Sequence, residues 1–296
     1  MRVLVFGAGS LGSLLGGLLA RAHEVTLIGR DPHVERIRDA GLRIEGEVLA
    51  RVRPAAVTTV PDGRFDLAVV TVKAFDTDAA AAALADADLG GVLSLQNGLG
   101  NEERLADELA CPVLAGTCTY GARLRGPGRV ECTGRGEVVL GPPDGGSSPH
   151  ADRVGAAFDA ADVETTVAAD MPRRLWEKLA VNAGINAVTA LVRAENGALS
   201  EGPAGVPARR AAVETAAVAR ERGIDLSDEA AASAVERVAD ATAANRSSML
   251  QDIEAGERTE VDAINGAVVD RAEGPVPVNE TLTALLRGWE RERDLR

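Results

Sequence analysis

The chain contains two lysines, and lysine can do acid–base chemistry that arginine cannot. Lys73 and Lys178 are the only lysines among its 32 Lys and Arg residues. Burial can lower the pKa of an ammonium until it releases a proton, whereas a guanidinium stays charged. If Lys178 must deliver a proton, Arg is not an adequate substitute, which would explain why a lysine is kept at this position. Lys73 directly follows the apolar run "DLAVVTV" and is expected to bind a ligand, with a solvated side chain as the alternative.

Lys178 belongs to a stripe of polar residues. In "LWEKLAVNAGIN" it is followed at intervals of four residues by Asn182 and Asn186, which places the three side chains on one face of a helix. The alternative is a stripe that faces water. Asn is a poor helix former, and an exposed stripe is expected to carry Glu, Arg or Ala instead. The pattern therefore favours a ligand-binding face on an otherwise apolar helix.

A candidate carboxylate lies in the segment "SSMLQDIEAGERTEVD". We expect Ser247 to Gln251 to lie late in one helix, and Gly256 to end that helix. Thr259 is then expected to be the N-cap of the next helix, with Asp262 three residues further on. Glu260 is either a functional carboxylate or a first-turn acid that the helix dipole favours.

Three glycines form a turn near the start of the chain. Gly7, Gly9 and Gly12 follow the apolar run "VLVF" and precede "SLLGGLLA", which reads as a helix. Such glycines permit a tight turn, let a pyrophosphate approach the backbone and let the helix pack closely on the strand. The G-x-G-x-x-G spacing alone is a weak signal. Its position between a strand and a helix indicates dinucleotide binding rather than a merely structural turn.

The end of the second strand indicates which dinucleotide binds. NAD enzymes usually place Asp or Glu there, about 20 residues beyond the glycines. This chain has Gly29 and Arg30 at that place. A guanidinium suits a 2′-phosphate, so NADP is the expected cofactor. Asp31 and Pro32 are expected to be the N-cap and the first residue of the next helix.

The order of elements predicts an α/β fold. Short β-branched runs alternate with Ala-rich helical stretches over residues 1–168, which predicts a Rossmann-type, doubly wound parallel sheet. Over residues 169–296 the periodicity is helical, which predicts an all-helical second domain. Lys73 and Asn97 each follow a predicted strand, at the edge where such sheets bind ligands. The alternative for Asn97 is a turn-forming Asn-Gly pair.

Composition narrows the classes of partner. The 296 residues carry a net charge of −13 and only 2% are aromatic. This excess of acid repels phosphate backbones and anionic lipids, so neither nucleic acid nor a membrane is an expected partner. Acidity with little lysine is typical of proteins selected for strong salt, and a GC-rich genome is the alternative explanation.

No segment has the pattern of a signal peptide or a membrane span, so we expect a cytoplasmic protein that binds a small-molecule substrate and is a possible homodimer. The spacing of the three cysteines and three histidines predicts no disulfide and no metal site.

Taken in order, these motifs resemble the ketopantoate reductase family over essentially the whole chain. The segments that carry the resemblance are "GAGSLG" (7–12), Lys73, "QNGLG" (96–100), "GTCTYGA" (116–122), "LWEKLAVNAGIN" (175–186), "ENG" (195–197), "SSMLQD" (247–252) and "RTEVDAING" (258–266). The resemblance implies a Rossmann domain joined to a helical domain, with substrate in the cleft between them. It also implies that NADPH reduces the 2-oxo group of ketopantoate to give pantoate for coenzyme A synthesis.

The resemblance further implies roles for individual residues. Lys178 matches the proton donor, and Glu260 matches the acid that binds the substrate hydroxyl. The other substrate-binding residues it implies are Asn97, Asn182, Asn186, Asn196 and Ser248. The cofactor-binding residues it implies are Gly7, Ala8, Gly9, Ser10, Leu11, Gly12, Arg30, Lys73, Asn97 and Ala122. The chain departs from the family at Glu257, where Arg is common, and at Ala187, where Pro is frequent.

Three other functions stay open on the sequence, and the first is reduction of a related, short branched 2-oxo acid. A 3-hydroxy-acid dehydrogenase of the 6-phosphogluconate type also carries a lysine on a helix, but the stripe of asparagines argues against it. A non-catalytic NADP(H) sensor would share the glycine-rich turn. Such a sensor would have no reason to keep Lys178 and Glu260 together.

Overall fold

The structure is a computed structural model that describes residues 1–200 and 202–296. The chain forms two compact units. The first unit contains residues 1–96 and 100–171, and the second contains residues 97–99 and 172–296. The change from one unit to the next after Met171 lies close to residue 168, where the sequence pattern changes. The short segment 97–99 follows a strand of the first unit but packs with the helices of the second.

The first unit alternates strands and helices. Its strands are β1 (Arg2–Phe6), β2 (Glu24–Ile28), β3 (Leu42–Gly46), β4 (Ala50–Val52), β5 (Ala55–Val57), β6 (Arg64–Phe65), β7 (Leu67–Val70), β8 (Asp88–Leu89), β9 (Val92–Ser94), β10 (Val113–Cys118), β11 (Gly121–Gly126), β12 (Arg129–Gly134), β13 (Val138–Gly141) and β14 (Thr165–Val167). Its helices are α1 (Ser10–Leu19), α2 (His33–Ala40), α3 (Thr77–Leu84), α4 (Asn101–Glu108) and α5 (Pro149–Ala160).

The main sheet of the first unit has eight strands in the order β14-β13-β10-β9-β7-β1-β2-β5. Neighbouring strands run parallel, except that β10 and β13 are antiparallel. The predicted Rossmann-type sheet is therefore confirmed, while the expectation of parallel pairing throughout was wrong for this one pair. The strand β7 is fully buried, as its continuous apolar sequence requires in a sheet covered on both faces.

A second sheet, in the order β11-β12-β3-β4, was not predicted. Its strands are short and rich in Arg and Glu, and in β3 and β12 buried and more exposed residues alternate. Helix α1 contacts both this sheet and β2 of the main sheet, and it buries Leu14, Leu15, Leu18 and Leu19 completely or almost completely. The apolar helix after the glycine turn thus forms the centre of the first core.

Helix α2 begins one residue later than the sequence predicted. Pro32 is its N-cap and His33 its first residue, so Asp31 is not the N-cap. Asp31 still accepts a hydrogen bond from the backbone N–H of Glu35 at 3.1 Å, because its carboxylate reaches past the proline into the first turn. Asp31 therefore accepts a hydrogen bond from the first turn of the helix, as an N-cap residue would, although it precedes the N-cap residue Pro32.

The described residues of the second unit form helices and no strand. These helices are α6 (Met171–Val192), a 3₁₀ turn (Asn196–Leu199), α7 (Gly205–Glu221), α8 (Asp228–Ala241), α9 (Ser248–Ala255), a π-helical turn (Asp262–Gly266), α10 (Ala267–Arg271) and α11 (Pro277–Arg291). Its core is rich in alanine on α6 and α7, and small side chains let helices approach closely. A Cβ at Gly184 of α6, for example, would come within 2.7 Å of the Ala208 carbonyl oxygen on α7. None of the described helices has both the length and the apolar composition that spanning a bilayer requires.

Candidate active site

The glycine-rich turn between β1 and α1 has the shape that a dinucleotide pyrophosphate requires. Gly7 has a φ of +110°, and a Cβ at Gly12 would collide with the Gly7 carbonyl oxygen and with Thr71 Oγ1. A Cβ at Gly9, in contrast, would meet no heavy atom within 4 Å. The fold itself therefore requires Gly7 and Gly12, while Gly9 leaves room for a ligand to approach the backbone.

The N-terminus of α1 is also suited to an anion. Gly9 is its exposed N-cap, no side chain caps the helix, and the first turn contains no acidic residue. Backbone N–H groups and the helix dipole therefore favour a negatively charged group at this end. Ala8, Gly9, Ser10 and Leu11, four of the predicted cofactor-binding residues, lie in this turn.

A chain of hydrogen bonds that the sequence did not reveal holds this turn. The backbone N–H of Gly128 donates to His33 Nδ1 at 3.1 Å, so the other ring nitrogen carries the proton and donates to Ser13 Oγ at 3.0 Å. Ser13 Oγ then donates to the Ala8 carbonyl at 3.1 Å. Burial lowers the pKa of His33, which keeps the ring in this neutral form. Residues so far apart in sequence leave no local signal.

Arg30 lies directly beyond the strand that neighbours the glycine turn. A Cβ at Gly29 would lie 2.9 Å from the Cβ of Ala8, so this position packs against the turn and tolerates no acidic side chain without rearrangement. Arg30 itself is exposed. A small residue therefore lies beside the glycine turn, and an exposed guanidinium directly follows it.

Lys73 follows β7, which lies beside β1 in the main sheet. It is half-buried at the start of a 3₁₀ turn, Ala74–Asp76. The buried side chain of Gln96 donates to the Val72 carbonyl at 3.2 Å and to Thr77 Oγ1 at 2.7 Å, which fixes the backbone on either side of Lys73. The structure thus places Lys73 on a held loop at the carboxyl edge of the sheet.

Ala122 is half-buried on β11 of the second sheet. The backbone N–H of Leu124 donates to Ser10 Oγ at 3.2 Å, which ties this strand to the first residue of α1. The structure therefore brings Ala122 to the same edge of the first unit as the glycine turn. All the predicted cofactor-binding residues except Asn97 lie in this unit.

In the second unit, the predicted polar stripe lies on α6. Lys178 and Asn182 are half-buried, and Asn186 is only 6% exposed. The stripe therefore does not face open water. Ala180, Ala183, Ala187 and Ala190 of the same helix are buried in the core of the unit. Amides and an ammonium on the margin of such a core can bind a polar ligand away from bulk solvent.

Ser247 and Ser248 lie at the start of α9, not late in a helix as predicted. The hydroxyl of Ser247 is the N-cap and accepts from the Leu250 N–H at 3.1 Å, and Gly256, with φ +70°, ends the helix as expected. Ser247 Oγ also pairs with Thr189 Oγ1 of α6 at 2.8 Å. Serine is favoured at the N-cap of a helix, so the pair Ser247 and Ser248 indicates a helix start. The apolar residues around the pair suggested instead that the helix was already under way.

Asn196 is anchored to the loop that leads into α9. Its backbone N–H donates to the Asn245 carbonyl at 2.9 Å, and its Nδ2 donates to Thr242 Oγ1 at 2.8 Å. Its Oδ1 is buried and accepts no hydrogen bond from the described residues. This loop continues directly into Ser247 and Ser248. The structure therefore places Asn196 close in the fold to the start of α9.

Asn97 and Glu260 are brought together across 163 residues of sequence. Asn97 Nδ2 donates to Glu260 Oε2 at 3.1 Å, and Glu260 is only 4% exposed. The backbone N–H of Leu99 donates to the Ala263 carbonyl at 3.3 Å, so the segment 97–99 lies on the π-helical turn that follows Glu260. A nearly buried carboxylate with an amide donor on one oxygen is a specific acceptor for a ligand hydroxyl.

Thr259 does not cap a helix as predicted. The helical turn begins at Asp262 and has Val261 as its N-cap residue, while the Thr259 hydroxyl donates to Glu290 Oε1 at 2.5 Å. The Thr259 hydroxyl thus binds a partner on α11, while its oxygen accepts from the backbone N–H of Val261 at 3.3 Å, ahead of the helical turn. In the same turn Asn265 Nδ2 donates to the Ala183 carbonyl of α6 at 3.1 Å. This contact, also missed, ties the Glu260 segment to the helix that carries Lys178.

Two family models match the chain in succession. The model of ketopantoate reductase PanE/ApbA matches residues 3–145, and that of the ketopantoate reductase PanE/ApbA C-terminal region matches residues 170–290. The chain belongs to the ketopantoate reductase family. The resemblance seen in its motifs is thereby confirmed.

Similar proteins and solved structures cover almost the whole chain. The 2-dehydropantoate 2-reductase of Halobacterium salinarum is 45% identical over 99% of this chain and 100% of its own length. The crystal structure of a PanE/ApbA family ketopantoate reductase from Ralstonia eutropha JMP134 has a TM-score of 0.91 at 36% identity, over 99% of this chain and 100% of that chain. A complex of D-mandelate dehydrogenase with NADH has a TM-score of 0.89 at 25% identity, over 99% of both chains.

Proposed function

We propose that this protein is a 2-dehydropantoate 2-reductase, which reduces the 2-oxo group of ketopantoate to (R)-pantoate with NADPH in pantothenate and coenzyme A biosynthesis. Membership of the ketopantoate reductase family supports the reaction class. The observation that carries the proposal is the pair Asn97 and Glu260, a nearly buried carboxylate with an amide on one oxygen. Ketopantoate carries a hydroxyl group that can donate a hydrogen bond to such a carboxylate.

In this proposal Lys178 is the proton donor. Hydride addition to the carbonyl carbon places negative charge on the carbonyl oxygen, and a positioned ammonium both stabilises that charge and protonates it. The half-buried position on α6 strengthens this electrostatic effect relative to water. The proton from the ammonium becomes the hydroxyl hydrogen of pantoate, and the amine then regains a proton from solvent.

The remaining polar residues orient the substrate. Glu260 accepts a hydrogen bond from the substrate hydroxyl, and Asn97 holds the carboxylate of Glu260 in place by donating to Oε2. Amide and hydroxyl donors suit the substrate carboxylate, and the proposal assigns this role to Asn182, Asn186, Asn196 and Ser248. Fixing both ends of a small 2-oxo acid leaves its carbonyl carbon in one orientation, which raises the rate of an addition reaction.

The first unit is proposed to hold the cofactor. The turn from Gly7 to Gly12 takes the pyrophosphate, Arg30 takes the 2′-phosphate, and Lys73 and Ala122 complete the binding residues of this unit. When bound, NADPH supplies the hydride. The open Cβ position of Gly9 and the exposed guanidinium of Arg30 support this assignment.

The experiment that tests the proposal is an absorbance assay of NADPH consumption with ketopantoate, with pantoate identified as the product. We expect turnover by the parent protein, and its loss in Lys178→Ala, while the variant still binds NADPH in a fluorescence titration. A parent protein that binds NADPH and leaves ketopantoate unreduced contradicts the proposal and favours a non-catalytic sensor.

A reductase of another 2-oxo acid is the second candidate, because the fold of D-mandelate dehydrogenase is closely similar. Oxidation of mandelate gives phenylglyoxylate, whose 2-oxo carbon carries a phenyl group without a hydroxyl; the 2-oxo carbon of ketopantoate carries a dimethyl-substituted carbon with a hydroxymethyl group. The nearly buried carboxylate of Glu260 would be desolvated against a phenyl ring without a hydrogen bond in return. A higher kcat/KM for phenylglyoxylate than for ketopantoate would show that the protein is a reductase of another 2-oxo acid.

A further inference from the structure

Helix α11 carries a buried carboxylate that the proposed reaction does not use. The core-facing side of this helix consists of Asn279, Leu282, Thr283, Leu286 and Glu290. Glu290 is fully buried, with 0% exposure, at a position where helical spacing calls for an apolar residue. Burial of a charged group is costly unless partners compensate for it, so the partners of Glu290 indicate why it is there.

The main partner of Glu290 is Thr259, the residue directly before Glu260. Oε1 of Glu290 accepts from the Thr259 backbone N–H at 2.9 Å and from the Thr259 hydroxyl at 2.5 Å. Oε2 of Glu290 lies 3.2 Å from Nε of Arg296. Two hydrogen bonds from one residue to one charged oxygen fix both its backbone and its side chain.

The other side of the Glu260 segment is held by a second charged group. Asp262 accepts from Arg287 Nε at 2.8 Å and from Arg258 Nη2 at 3.3 Å, and it also pairs with Arg296. Burial alone raises the pKa of Asp262, but these guanidiniums outweigh it and hold the pKa below the ordinary value. Arg296 therefore joins the Glu290 and Asp262 clusters, which lie on either side of Glu260.

We propose that Glu290 is a positioning residue that, through Thr259, fixes the carboxylate of Glu260 toward the hydroxyl group of the substrate. Adjacent Cα atoms are about 3.8 Å apart, so a shift of Thr259 moves Glu260 directly. Asn97 restrains the Glu260 side chain from one end, and Glu290 restrains its backbone from the other. The inference rests on the proposed function, because it assigns the hydroxyl of ketopantoate to Glu260.

The test compares two substrates in each variant: ketopantoate and 3,3-dimethyl-2-oxobutanoate, which has the same carbon skeleton without the hydroxyl. In Thr259→Val and in Glu290→Gln we expect kcat/KM to fall for ketopantoate, by about tenfold for Thr259→Val, and to change less than about twofold for the analogue. Thr259→Ser keeps the hydroxyl and is expected to restore the parent preference. The ratio of the two kcat/KM values does not depend on how much of a variant is folded, since both substrates use the same folded molecules.

Thr283→Val is the matched control. It removes a hydroxyl from the same buried face of α11, and that hydroxyl has no hydrogen bond to any described residue. We expect the parent ratio in this control. Equal losses for both substrates in Thr259→Val and Glu290→Gln would overturn the inference and leave the proposed function standing. A parent protein that reduces neither substrate would overturn both the inference and the proposed function. Glu260→Gln should also lose the preference for ketopantoate, which would show that the ratio of the two kcat/KM values reports on Glu260.

Discussion

Lys178 and Glu260 bring opposite charges to the second unit, and each has a task that its chemistry suits. The ammonium of Lys178 is half-buried on α6, whereas the carboxylate of Glu260 is almost fully buried beside Asn97. An ammonium can give its proton to a developing alkoxide, and a carboxylate can accept a hydrogen bond from a hydroxyl group. These two environments support the proposed roles, in which Lys178 donates the proton and Glu260 binds the substrate hydroxyl.

Arg30 allows a prediction about cofactor preference. Arg30→Ala should raise the KM for NADPH by about tenfold, because one charge-assisted contact to the 2′-phosphate is lost, and should leave the KM for NADH unchanged. Initial rates with each cofactor at fixed ketopantoate measure this. Arg36→Ala, the same change at another exposed position of this region, is the control and should affect neither value. Equal effects of Arg30→Ala on the two cofactors would contradict the assignment of the 2′-phosphate.

The turn between β1 and α1 separates glycines that the fold requires from one that it does not. A Cβ at Gly12 collides with the Gly7 carbonyl oxygen, whereas a Cβ at Gly9 meets no protein atom within 4 Å. We predict that Gly12→Ala lowers the unfolding temperature, because backbone atoms must move. Gly9→Ala should change it little but should weaken NADPH binding by about tenfold or more, since the methyl group occupies the space of the pyrophosphate.

Calorimetric titration with NADPH and thermal unfolding of both variants check this pair. The result that contradicts the account is a Gly9→Ala protein that binds NADPH as tightly as the parent. In that case the open position at Gly9 would have no role in cofactor binding.

Elements with a local signal were predicted from the sequence. The Rossmann-type sheet, the helical second half and the stripe on α6 follow from alternation, periodicity and spacing within a few residues. The second sheet was missed, because β3, β4, β11 and β12 are short, carry many charges and find their partners far away in sequence. A strand that is stabilised by distant partners has only a weak strand pattern in its own sequence.

The same limit applies to the site. Candidate residues could be named from motifs, but their contacts could not. Asn97 pairs with Glu260 across 163 residues, and Thr259 pairs with Glu290 instead of capping a helix. Both pairings depend on how the helices of the second unit pack, and local spacing does not encode that packing.

The whole molecule carries a net charge of −13, with 45 Asp and Glu residues against 32 Lys and Arg residues. Like charges on the folded surface repel one another, and this repulsion opposes the compact state. Salt shortens the range of the repulsion, from about 10 Å at 0.1 M to about 3 Å at 1 M. Stability is therefore expected to depend on ionic strength more strongly than in a protein of balanced charge.

We predict that the unfolding temperature rises by several degrees between about 0.1 M and about 1 M KCl. Thermal unfolding followed by circular dichroism measures the shift. Sucrose at equal osmolality is the control, since it does not screen charge and should not reproduce the full effect. An unfolding temperature that is constant or falls with KCl would show that charge repulsion contributes little to the stability of the fold.

The central claim is that an amine at position 178 must release a proton to the reduced substrate. The most direct test is the kcat of Lys178→Arg with ketopantoate at saturating NADPH, compared with that of the parent. Because guanidinium keeps the positive charge but does not give up its proton, we predict a fall in kcat of about 10²- to 10⁴-fold, with NADPH affinity unchanged. A Lys178→Arg protein that turns over ketopantoate as fast as the parent would contradict the account.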